Sequence, residues 1–230
     1  IDFAQALHEL NREKFACTIG GERSASWYHF HSGKWNKTGG APSCLTLQLS
    51  TRSSPSGILS IMDSVVELRR TLPGQDAVAL AKAAAGLERT LKSSTCACNV
   101  LRLAAHLFED AGLRDRMDVD PLKFVFRNCV LDMRGADAIC RPGIPVDYLS
   151  RSSMMSYNPG LSESSPEVVR AVGFLRQLFP DPELYDFFLR AHCMYFEGGN
   201  DDKIAHVWVG PKGNNGKSTL QNVFETMLGN

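Results

Sequence analysis

Residues 204–219 read Ile-Ala-His-Val-Trp-Val-Gly-Pro-Lys-Gly-Asn-Asn-Gly-Lys-Ser-Thr, and this stretch decides the fold of the C-terminal part of the chain. Residues 204–209 are an apolar run of strand length. They lead into Gly210, Pro211, Lys212, Gly213, Asn214, Asn215, Gly216, Lys217, Ser218 and Thr219. Leu220, Val223, Phe224 and Met227 then recur at helical spacing. A strand, a glycine-rich loop, Gly-Lys-Ser and a helix make up the phosphate-loop unit. The residue types suit the chemistry. Glycines let the loop curl so that backbone N–H groups point at phosphate oxygens. The helix beginning near Lys217 adds its positive N-terminal end. Lys217 is the expected catalytic cation at the β- and γ-phosphates, and the Ser218 hydroxyl the expected Mg²⁺ ligand. Thr219 lies one residue too far round the helix for that role. One irregularity stands out. The pattern G-x-x-x-x-G-K-S/T demands glycine at 211, where the chain has Pro211, with Gly210 one residue earlier. The plainer reading of the stretch is a glycine-rich turn.

Two well-signalled helices precede it. Ser165 can cap and Pro166 fits the first helical position. Val168, Val172, Leu175 and Phe179 form an apolar face. Asp181-Pro182-Glu183 repeats the start signal, and Leu184, Phe188, Ala191 and Tyr195 continue that second helix towards Gly198-Gly199. Residues 158–166, rich in Ser, Pro and Glu, read as a linker. The chain is therefore expected to divide into domains at 1–160 and 161–230.

Further towards the N-terminus, residues 124–133 read as one β-prone segment that pairs with residues 138–140. Val100, Ala104 and Leu107, then Leu80, Ala84, Leu87 and Leu91, then Ile58, Ile61, Val65, Leu68 and Leu72 form three helical stripes expected to face a core. Residues 38–42 and 50–57 read as loops. Residues 14–19 alternate and read as a strand, and residues 26–36 predict a hairpin turning at Ser32-Gly33. Trp27, Phe30 and Trp35 on that hairpin would either stack bases or pack on helices, and the core tendency of aromatics favours packing.

Composition removes several classes. The 230 residues are 43% hydrophobic and 22% charged, enough for a core and unlike a disordered chain. Lys+Arg and Asp+Glu are 25 each, which excludes a bulk polycation held to nucleic acid by charge alone. No run reaches the roughly 18–20 apolar residues that span a bilayer, and no secretory signal is visible, although the sequence begins at Ile1. Seven cysteines at irregular spacing, with Cys96 and Cys98 as C-x-C, argue against a disulfide framework and against a zinc site. A reducing compartment is expected.

Beyond chemistry, the stretch 213–219 after an apolar strand resembles the phosphate loop of superfamily 3 helicases, specifically the primase-helicases of poxviruses and other large DNA viruses, with phage and plasmid relatives. Trp27-Tyr28-x-Phe30 with Trp35 resembles the aromatic hairpin of that family's helicase-associated domain. Phe126-x-Asn128-x-Val130-x-Asp132 resembles its phenylalanine–asparagine–glycine–valine–aspartate signature, with Cys129 in place of glycine. Asp147-Tyr148-x-Ser150-Arg151 resembles its aspartate–tyrosine block, and Phe179-Pro180-Asp181-Pro182-Glu183 the run into the motor domain.

The resemblance implies an α+β helicase-associated domain followed by the start of an α/β P-loop, AAA+-like ATPase. It implies ATP and Mg²⁺ as cofactors and single-stranded DNA or a replication fork as substrate. It also implies a homohexameric ring, a primase domain or subunit as partner, no membrane, and the cytoplasm or nucleus of a virus-infected cell. The acidic strand, polar sensor and arginine finger of such an ATPase would lie beyond Asn230. Two alternatives stay open: a collar or primase-binding module without activity of its own, and a P-loop kinase of small substrates.

Overall fold

The computed structural model describes residues 3–20, 25–50, 57–70, 77–153, 155–199, 203–210 and 215–228. The chain forms two compact units, Ile1–His31 with Trp35–Asp115 and Ser32–Lys34 with Arg116–Asn230.

In the first unit, α1 (Phe3–Asn11) leads into an antiparallel sheet of β1 (Phe15–Ile19), β2 (Ala25–His31) and β3 (Lys34–Thr38), in the order β1-β2-β3. The expected hairpin is present. Ser32 and Gly33 have φ of 53° and 77°, the paired left-handed conformation whose twist matches that of the flanking strands. Phe15 pairs with His29 and Cys17 with Trp27. Four helices follow: α2 (Ser43–Ser50), α3 (Ile58–Arg70), α4 (Ala77–Leu91) and α5 (Ser94–Leu107). The last three are those the stripes predict. α1 and α2 have no counterpart in the sequence reading, and α2 fills the stretch between the two expected loops.

Leu7, Leu45, Leu59, Leu91, Trp27, Ala104 and Phe108 meet in one core. Removing such a leucine would cost about 2–5 kcal/mol. The stripes are buried only in part. Ile58 and Leu91 are inside, but Val65, Leu68, Leu87 and Leu107 are exposed. Leu72 and the side chain of Leu80 lie outside the described residues. At the end of α5, Phe108 takes the buried place expected of Leu107, because the helix stops there and turns the chain inward. Trp27 and Trp35 are 2% and 5% exposed, and Phe30 lies edge-on to Trp35 with ring centroids 5.5 Å apart. The aromatic hairpin is core material.

After α6 (Leu113–Arg116), the second unit contains a second antiparallel sheet of β4 (Lys123–Val125), β5 (Val130–Asp132) and β6 (Ile139–Arg141). Residues 124–133 are thus two strands, where the sequence predicts one. The Phe126 N–H donates to the Cys129 carbonyl at 2.8 Å and closes a tight turn. Asn128 fastens that turn, accepting from the Tyr157 N–H and donating to its carbonyl, both at 2.8 Å. Cys129 has no positive φ, so glycine is not required at its position.

Asp132 and Asp147 both hold the Arg141 guanidinium, at 2.9 and 2.8 Å. Lys123 adds an ion pair to Asp147 at 2.9 Å, with both side chains nearly inaccessible. Burial alone would raise the Asp147 carboxyl. Arg141, the Ile144 N–H and Lys123 outweigh burial and hold it well below the usual carboxylate range. Two of the sequence blocks that carried the resemblance, those of Asp132 and Asp147, therefore converge on one arginine.

α7 (Pro166–Leu178), α8 (Pro182–Cys193) and α9 (Lys217–Leu228) complete this unit. The Asp181 carboxylate caps α8, accepting from the N–H groups of Glu183 and Leu184. Ser165 precedes Pro166 as expected, but its side chain makes no cap bond to α7. Residues 204–209 are not a strand, contrary to the sequence reading. A strand exists only with a neighbour to pair its N–H and C=O groups, and among the described residues none forms a ladder with this stretch. Val207 and Val209 are 80% and 89% exposed, whereas His206 and Trp208 turn towards α8 and α9. No helix among the described residues is long and apolar enough to cross a membrane.

Candidate functional site

Lys217 opens α9, and Leu220 makes the first helical bond, its N–H donating to the Gly216 carbonyl at 2.9 Å. The unpaired N–H groups of this first turn give the site its positive end. Gly216 has φ of 77°, and a Cβ there would sit 2.4 Å from Leu178 Cδ2 on α7. Backbone conformation and close packing both require glycine.

Gly210, at the other end of the loop, has no positive φ, and its close neighbour is the end of an exposed, movable side chain. A Cβ on it would meet the Asn215 side-chain nitrogen at 1.9 Å and lie 3.3 Å from Lys217 Nζ. The Lys217 ammonium thus folds back over Gly210, where it donates to Asn215 Oδ1 at 2.7 Å. A glycine one residue before the position the motif demands therefore meets the same close approach. Lys217 is half-buried, and Ser218 and Thr219 are exposed in the first turn of α9. Pro211, Lys212, Gly213 and Asn214 lie outside the described residues.

A cavity of about 370 Å³ opens beside these groups. Gly210, Asn215, Gly216 and Lys217 form one wall. Leu178 and Leu184, the rings of Phe188, His192 and Trp208, and Leu220 form much of the rest. His192 is central to the ring cluster: it stacks on Phe224 with centroids 4.9 Å apart and lies 4.0 Å from Phe188 and 5.5 Å from Trp208. The sequence reading placed Phe188, Trp208, Leu220 and Phe224 on their elements without assigning them to a site, and did not name His192. Their signal was present in the four-residue step from Phe188 to His192 and in the alternation of His206 and Trp208. Among the described residues, no carboxylate lines the cavity. Among the described residues, no group of three or more His, Cys, Asp or Glu side chains is placed to hold a metal ion.

Residues 4–180 match the family described as D5 N terminal like. The chain belongs to that family. Its relatives include "Putative helicase 121R" of Invertebrate iridescent virus 3, 38% identical over 56% of this chain and 14% of that protein. "Putative helicase 184R" of Invertebrate iridescent virus 6 is 35% identical over 51% of this chain and 12% of that protein. "Putative helicase L207/L206" of Acanthamoeba polyphaga mimivirus is 23% identical over 96% of this chain and 23% of that protein. The chain spans less than a quarter of the length of each of these curated relatives. The D5 N-terminal-like match and these viral relatives make the chain a helicase-associated domain of the large-DNA-virus type, as the sequence blocks implied.

Proposed function

We propose that Gly210–Thr219 binds the phosphates of ATP–Mg²⁺, and that the chain is part of an ATP-driven DNA helicase that unwinds a large-DNA-virus genome during replication. The observation that carries this reading is the Lys217 ammonium at the N-terminus of α9, folded over Gly210 beside a left-handed Gly216. Three devices there favour a polyanion: the N–H groups of the first helical turn, which have no acceptor within the helix, glycines at 210 and 216, and a positioned cation. Ser218, exposed in the first helical turn, would hold Mg²⁺, which screens the charge between β- and γ-phosphates. Lys217 would break its contact with Asn215 and turn to the phosphate oxygens, where charge grows in the transition state. The same reading takes single-stranded DNA or a fork as substrate, a homohexameric ring as the working form, and a primase domain or subunit as partner. The helicase names of the viral relatives support it.

The test is Lys217→Ala in the full-length protein. A charge-assisted contact contributes about 1.5–3 kcal/mol, so nucleotide affinity should fall roughly tenfold or more. Unwinding should disappear while the fold survives. Undiminished ATPase activity on single-stranded DNA would end the reading.

A further inference from the structure

β5 and β6 bring two thiols together on the side of their sheet opposite the Arg141 ion pairs. Leu131 pairs with Cys140, so Cys129, two residues before Leu131, lies diagonally across from Cys140 on the same side. Asp132 and Arg141 occupy the other side. The two cysteines are half-buried, and their side chains are in hydrogen-bond contact. Burial first, and then Cys129, push the Cys140 thiol up to about 11. Cys140 therefore keeps its hydrogen near neutral pH, and the Cys129 sulfur is the acceptor. Cys129 also lines a cavity of about 310 Å³ together with Arg127 and Asn128. It stands at the glycine of the sequence signature, at a φ that asks for no special residue, so the turn itself does not explain the thiol. Cys96 and Cys98, by contrast, stand two apart on α5 and point to different sides of that helix.

We propose that Cys129 and Cys140 are a dithiol site that small anionic disulfides, of the glutathione disulfide class, convert to an intramolecular disulfide. Cys129, as the thiolate, attacks one sulfur of the small disulfide. That S–S bond breaks, one half leaves as a thiolate, and the other stays on Cys129 as a mixed disulfide. The Cys140 sulfur then attacks the Cys129 sulfur and expels the second half. The proton that Cys129 gave up and that of Cys140 end on the two released thiols. Two protein thiols are oxidised, and one small disulfide is reduced to two thiols. Arg127, on the wall of the cavity at Cys129, attracts the carboxylates of the incoming disulfide. In a reducing compartment the pair rests as thiols, the usual setting for a transient disulfide.

The test uses the full-length protein, reduced and then equilibrated with excess oxidised glutathione. Free thiols are capped in denaturant and the peptides sequenced by mass spectrometry. A Cys129–Cys140 link should form, and added reduced glutathione should reverse it. Cys140→Ser should stop at glutathione held on Cys129, whereas Cys129→Ser should leave Cys140 unmodified. Arg127→Gln should slow the reaction several-fold with oxidised glutathione but not with uncharged hydroxyethyl disulfide. The wild type decides without a variant: Cys129 and Cys140 both capped as free thiols in excess oxidised glutathione would overturn the proposal, and so would a link from either one to another cysteine. Glutathione on Cys140 in Cys129→Ser would overturn the order of attack. Equal slowing with both disulfides would overturn the role of Arg127.

Discussion

Gly216 shows how little freedom single positions at the site retain. Any side chain there pays for a left-handed backbone, about 1–2 kcal/mol, and collides with Leu178 as well. Gly216→Ala should therefore lower stability by at least that amount and weaken triphosphate binding more than tenfold. Adding Leu178→Ala should relieve the collision but leave the backbone strain, so recovery should be partial. Thermal melts and ATP titration of the three variants check this; a Gly216→Ala protein with unchanged melting and affinity would refute the geometry. Residues also mark what the sequence revealed. The left-handed turn at Gly216 and the helix start at Lys217 were legible, because both follow from residue type and spacing alone. Gly210 was legible only as an irregularity, since its fit depends on where the Asn215 side chain falls. His192 was not legible, because a histidine on an apolar helical face looks the same whether its second nitrogen is paired or bare.

The elements divide along a similar line. Helices α3, α4, α5, α7, α8 and α9 follow from periodicity and start signals, and the β2–β3 hairpin from Ser32-Gly33. The β4–β5 turn was hidden, because Phe126–Cys129 has no glycine or proline; its conformation is set by a clamp from Tyr157, 29 residues away. The β4–β5–β6 sheet is held by charge as much as by its small core of Val125, Val130 and Leu149. The Asp147 carboxyl titrates lower in the folded protein than its ordinary value of 3.8. It therefore contributes stability that is fully present above that value and is lost as pH falls through the folded one. Asp147→Asn should cost about 3–5 kcal/mol near neutral pH, because it leaves Lys123 and Arg141 facing an uncharged group. The gap to wild type should shrink in strong acid. Acid and urea unfolding followed by near-ultraviolet circular dichroism would measure both, and a constant gap from pH 7 to strong acid would contradict the assignment.

The whole chain combines a helicase-associated domain with the stretch we propose to bind phosphates. Among the described residues that line the cavity at Lys217 there is no acid, and phosphoryl transfer to water needs a group to orient the nucleophile. A polypeptide of residues 1–230 should consequently bind ATP without turning it over. Phosphate release above blank that disappears in Lys217→Ala would contradict this. The apolar residues before Gly210 have a practical consequence as well. Val207 and Val209 are 80% and 89% exposed. Two β-branched side chains held in water so close together offer another molecule an apolar foothold. Preparations of this polypeptide should therefore cloud first through Val207 and Val209, and charging those two positions should do more for their shelf life than any change in the well-packed N-terminal core.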